Sequence, residues 1–145
     1  MLRIAIAGCA GRMGKALVQA TLLDKEVKLT AATVTLGNPL SNTDVGLIAG
    51  IEAIHLKPSD DIHKVLDQFD VLIDFTIPAS TLQHLSLCKK HHKKMVIGTT
   101  GFNDEQKKRI QEASGQIAIM FAPNTSVGVN ICYELLKKAA AALGD

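Results

Sequence analysis

Gly8, Gly11 and Gly14 recur at intervals of three, directly after the apolar run Leu2-Arg3-Ile4-Ala5-Ile6-Ala7. A buried strand that breaks into glycines and then turns amphipathic suits one chemistry well. The first glycine permits a tight turn, the second lets the backbone approach a pyrophosphate, and the third lets a helix pack closely. The helix start then offers free N–H groups and the positive end of its dipole to the phosphates. Two further segments carry chemistry. Gly98-Thr99-Thr100-Gly101 sets two hydroxyls between glycines, and Ala122-Pro123-Asn124-Thr125-Ser126 comes after the next apolar run. Asp74 closes another apolar run, where it either meets a ligand or holds the following turn.

These residues need strands that end at one edge. The pattern supplies strands at 2–7, 27–34, 71–75, 95–98 and 117–121, with a short edge strand near 53–57. Helices are expected at 12–23, from a cap at Asp60 or Asp61 to Gln68, and at 79–91, 103–114 and 129–143. Helix 12–23 should turn Met13, Ala16, Leu17, Ala20 and Leu23 inward. Continuous apolar strands alternating with helices indicate an α/β fold, a Rossmann-like doubly wound parallel sheet covered on both faces. Ligands bind such sheets at the carboxyl ends of the strands. The segment 129–143 is apolar on two sides, through Val129, Cys132, Tyr133, Leu136 and Leu143 and through Ile131, Leu135 and Ala142. A helix of this kind wants burial on more than one side. Ser126 is placed to cap it. The division expected is a dinucleotide-binding domain at 1–128 and a hinge and terminal helix at 129–145 that leads into a further domain.

Composition narrows the function classes. The chain has 145 residues, 47% of them hydrophobic, which suits a packed domain rather than a disordered one. A net charge of +2 and 3% aromatic content argue against a nucleic-acid or membrane-surface partner. The basic run Lys89–Lys94 reads as a solvated helix end, and His91 and His92 lack companion metal ligands. No apolar stretch has the length of a transmembrane helix, and the N-terminal run ends in a glycine loop rather than a cleavage site. Cys9, Cys88 and Cys132 are widely spaced thiols that fit a reducing cytoplasm. Cys9 reads as a small filler in the loop rather than a nucleophile.

An acid about twenty residues beyond the glycine loop ordinarily holds the adenosine ribose and rejects a 2′-phosphate. Here that position is Val34-Thr35. Arg12 is either a partner for a 2′-phosphate or a solvent-facing residue near the pyrophosphate.

Four segments together resemble the 4-hydroxy-tetrahydrodipicolinate reductase family: Gly8–Gly14 (GCAGRMG), Val71–Pro78 (VLIDFTIP), Val96–Phe102 (VIGTTGF) and Ala122–Asn130 (APNTSVGVN). The resemblance implies a homotetrameric NADH- or NADPH-dependent oxidoreductase of lysine and diaminopimelate synthesis. Its small-molecule substrate is a cyclic imine dicarboxylate. It further implies that Gly8, Cys9, Ala10, Gly11, Arg12 and Met13 hold the pyrophosphate and its ribose, with Thr35 beyond the second strand. Gly98, Thr99 and Thr100 line the nicotinamide, Thr100 also the substrate. Ala122, Pro123, Asn124 and Thr125 flank it from the next loop. The chain departs from the family at Val34-Thr35, where relatives often place an acid and a base, and at Ile77, where they often carry arginine. The family's acid–base histidine, catalytic lysine and substrate clamp belong to a second domain. No catalytic residue is therefore assigned within these 145 residues, and the chain alone is expected to be inactive. It is also expected to associate through its terminal helix. Competing readings are a free-standing dinucleotide-binding module and another Rossmann reductase, such as an aspartate or homoserine dehydrogenase.

Overall fold

The computed structural model describes residues 1–122 and 124–144. Five strands form one parallel sheet: β1 (Leu2–Ala7), β2 (Val27–Ala32), β3 (Val71–Asp74), β4 (Lys94–Ile97) and β5 (Ile119–Phe121), in the order β2-β1-β3-β4-β5. The helices are α1 (Arg12–Leu23), α2 (Val45–Ile48), α3 (Pro78–Lys90), α4 (Asp104–Ser114) and α5 (Val127–Leu143). Two 3-10 segments, Pro39–Asn42 and Ile62–Gln68, lie between β2 and β3.

Both faces of the sheet are covered, which is why its strands are apolar without alternation. Along β1, Ile4 and Ile6 face one core with Val18 of α1 and Val45 and Ile48 of α2. Ala5 and Ala7 face the other, with Phe69, Leu72, Leu82 and Leu85 of α3, Met95 and Ile110 of α4. At the amino edge Arg3 grips Asp70, Nη2 to Oδ1 at 2.6 Å and Nε to Oδ2 at 3.2 Å, tying β1 to the entry of β3.

Three expectations need correction. No strand forms at 53–57. The Asp44 carboxylate accepts from the backbone N–H groups of Gly46, Ile54 and Leu56, so that segment's donors serve a loop closure instead of a ladder. The one pairing nearby is a bridge between Thr33 and Ser59. The inward face of α1 is Gly14, Val18 and Thr21, while Met13, Ala16, Ala20 and Leu23 are exposed. Close seating of Gly14 on the loop sets the rotation of that helix, and hydrophobicity alone does not. The expected helix ending at Gln68 is a 3-10 helix capped by Asp61, whose Oδ1 accepts from the His63 N–H at 2.9 Å.

Helix α5 starts two residues earlier than expected, with the Ser126 hydroxyl accepting from the Val129 N–H. None of its residues is buried, and Val127, Ile131, Tyr133, Leu135 and Leu136 are all more than half exposed.

Candidate functional site

The register aligns Ala7 with Asp74, Asp74 with Ile97, and Ile97 with Phe121. Four strands therefore end level. The next residues of the chain, Gly8, Phe75, Gly98 and Ala122, emerge at one edge of the sheet. Backbone bonds hold these exits: Cys9 N–H to Thr33 O (2.9 Å), Gly98 N–H to Asp74 O (2.9 Å) and Ala122 N–H to Ile97 O (3.2 Å).

Gly8 opens the loop in the left-handed region, φ +68°, and a Cβ there would lie 2.9 Å from the Thr76 methyl. A side chain at Gly8 is thus excluded by both conformation and space. Its carbonyl accepts from the Gly11 N–H at 3.0 Å, closing the turn. Gly11 is the N-cap of α1 and offers no side chain to its N–H groups, and the first turn holds no acid. The helix start is left open to an anion, as phosphate binding requires. The Cys9 side chain points instead into the core, and burial pushes its thiol up to about 11. A thiol of that kind packs and does not attack. Ala10 is half-buried, and Arg12 and Met13 are exposed.

A cavity of about 930 Å³ opens beside this loop. It brings Gly8 and Thr35 together with Thr33, Val34, Asp60, Asp61, Thr76, Ile77 and His84. Ala10, Gly11, Arg12, Met13, Gly98, Thr100, Ala122, Asn124 and Thr125 lie outside its lining. Gly98 and Thr100 follow β4, and Ala122, Asn124 and Thr125 follow β5, beyond the same sheet edge. Thr100 and Thr125 are exposed there. Asn124 turns its side-chain oxygen to the Ser126 N–H at 2.9 Å. Pro123 lies outside the described residues.

Between these halves sits a buried polar knot. The Asp74 carboxylate has no exposed surface. It accepts from the Thr76 N–H (2.9 Å) and hydroxyl (2.6 Å), and from His84 Nδ1 (2.7 Å). Thr81 donates to Thr99 at 2.9 Å. Burial raises the Asp74 pKa, but the His84 hydrogen bond and charge and the bonds from Thr76 outweigh it, holding the carboxyl below its ordinary value. Of the two roles open for Asp74, the structure shows the one that holds the next turn. Thr99, too, spends its hydroxyl inside the knot, and only its backbone remains for a ligand. An ionised Asp74 accepts only, so His84 donates from Nδ1 and its other ring nitrogen remains for the cavity that it lines.

His84 was not legible as a site residue, since a lone histidine in a helix ten residues from an aspartate carries no pattern. Asp60 and Asp61 read only as caps. Among the described residues no group of three His, Cys, Asp or Glu is placed to bind a metal ion. No helix among them is long and apolar enough to cross a membrane.

Residues 2–125 match the model of the family described as dihydrodipicolinate reductase, N-terminus. The chain is similar to the dipicolinate-bound dihydrodipicolinate reductase from Paenisporosarcina sp. TG-14, with 27% identity and a TM-score of 0.74. That match covers 97% of this chain and 54% of that one, so the chain spans about half the length of that reductase. The WlbA dehydrogenase from Bordetella pertussis, solved with NADH and UDP-GlcNAcA, shares the fold at 16% identity and a TM-score of 0.68, over 94% of this chain and 42% of that one. S. aureus homoserine dehydrogenase shares it at 16% and 0.62, over 83% and 31%. Two such distant dehydrogenases speak for the fold alone. The family match decides among the reductases that the glycine loop allows: the chain belongs to the dihydrodipicolinate reductase family and corresponds to its N-terminal, Rossmann-type portion.

Proposed function

We propose that this chain holds NADH or NADPH as the hydride donor of a cytoplasmic reductase acting on a cyclic imine dicarboxylate in lysine and diaminopimelate synthesis. One observation carries the reading: the register brings the exits of β1, β3, β4 and β5, at Gly8, Phe75, Gly98 and Ala122, to a single edge. The fit to the cofactor rests on the Gly8 cradle, which a Cβ would fill, and on the acid-free, uncapped start of α1. Gly8–Met13 then hold the pyrophosphate, Thr35 and the cavity take the adenosine, and Gly98–Thr100 with Ala122–Thr125 flank the nicotinamide. Thr100 touches substrate. Bound nicotinamide supplies hydride, and this chain's part is to orient it within attack distance. Asp74 and His84 fix the turn that separates the two ends of the cofactor.

Titrating the 145-residue chain against NADH and NADPH fluorescence tests this. Saturable binding of at least one cofactor is expected, without turnover of the imine substrate, because the family's proton donor and substrate clamp match no position here. Binding of neither would overturn the reading, and cofactor-dependent turnover would overturn the division of labour.

Helix α5 presents an apolar surface that nothing among the described residues covers. The isolated chain is therefore expected to self-associate through α5. Light scattering that shows a clean monomer, with amides of α5 well protected from exchange, would count against it.

A further inference from the structure

We propose that Asp60 and Asp61 take over the discrimination that Val34-Thr35 cannot supply, and that they make this site prefer NADH to NADPH. The inference rests on the cofactor reading above and concerns its adenosine end. The Ser59 N–H donates to Ala32 O at 2.8 Å and the Val34 N–H donates to Ser59 O at 2.9 Å. With the Thr33–Ser59 bridge, these bonds lay residues 59–61 along the carboxyl end of β2. Residues remote in sequence thereby reach the place where a Rossmann site reads the ribose.

Asp60 and Asp61 line the cavity with Gly8, Val34 and Thr35. Each is held on one side only. Asp60 Oδ1 accepts from Lys64 Nζ at 3.0 Å, and Asp61 Oδ1 accepts from the His63 N–H at 2.9 Å. The second oxygen of each has no partner among the described residues and is available to a ribose hydroxyl. A 2′-phosphate at the same point would bring further negative charge against two carboxylates. Lys64 offsets one of them across an exposed pair, where the attraction is weak. Arg109 is the cavity's one guanidinium. It belongs to α4, between β4 and β5, at the opposite side of the sheet from β2. Arg12 is exposed and outside the lining. Among the described residues, no lysine lines the cavity and Arg109 is its one arginine.

The test measures dissociation constants for NADH and NADPH with the full 145-residue chain and its Asp60→Asn/Asp61→Asn variant. Asparagine keeps the shape of both side chains and caps a helix about as well as aspartate, so the variant should fold. Circular dichroism melting verifies that it does. The parent chain is expected to favour NADH by about tenfold or more at low salt, and the variant to lose most of that ratio through tighter NADPH binding. Equal or tighter NADPH binding by the parent overturns the inference, as does an unchanged ratio in the folded variant. In those cases the cofactor reading stands. Binding of neither cofactor by the parent overturns both.

Discussion

Replacing Gly14 with alanine is expected to abolish saturable NADH binding and to lower the melting temperature by about 3–10 °C. A Cβ at Gly14 would lie 2.7 Å from Cys9 Cα and 2.9 Å from the Cys9 carbonyl carbon, and would collide with the Gly8 carbonyl oxygen. All three are backbone atoms, so no rotamer change relieves the clash. The Gly8 carbonyl is already committed to the Gly11 N–H. Either α1 backs away from the loop or the turn opens, and in both cases the loop loses the shape proposed to hold the pyrophosphate. Overpacking of this kind costs about 1–3 kcal/mol. Lys15→Ala, on the exposed side of the same helix, is expected to change stability by less than about 0.5 kcal/mol. Fluorescence titration and thermal melting of both variants check this. NADH binding by Gly14→Ala within about threefold of the parent would show that the loop tolerates displacement.

Asp74→Ala carries the second large effect, a loss of about 3–5 kcal/mol, because it strips the partner from buried donors. The Thr76 N–H and hydroxyl and His84 Nδ1 all lose their acceptor. The pH dependence has a definite sign. The folded carboxyl titrates below its ordinary value, near 3.9 when unfolded. Its charge-dependent contribution is therefore fully present above about pH 4 and is lost as pH falls through the folded value. Urea midpoints of the parent and of Asp74→Asn should differ most at pH 5–7 and converge below about pH 4. A gap that stays constant or widens in acid would show that the Asp74 charge is not what the knot uses.

Much of this site was legible because its signals are local. The spacing of Gly8, Gly11 and Gly14 after an apolar run determines a tight turn and a close helix, whatever surrounds them. GTTG and APNTS mark strand ends in the same way, and the apolar runs determine a parallel sheet because only burial on both faces tolerates them. Ser126 as a cap was equally local. The failures share a cause as well. Hydrophobic periodicity turned Met13 and Leu23 inward, but a backbone contact at Gly14 rotated α1 to present Val18 and Thr21. The segment 53–57 had strand character, yet a carboxylate ten to twelve residues away took its donors.

The sequence by itself determined the sheet, the glycine loop and the family, since each is written in neighbouring residues and in their order. Only the tertiary structure decided what each polar side chain does. It buried Thr99 beside Thr81 and Asp74 beside His84, and it carried Asp60 and Asp61 to the end of β2. Those pairings join residues far apart in the chain, and which partner a polar group finds depends on strand register and helix rotation. Both are settled by the packing of the whole sheet, and no short stretch of sequence contains them.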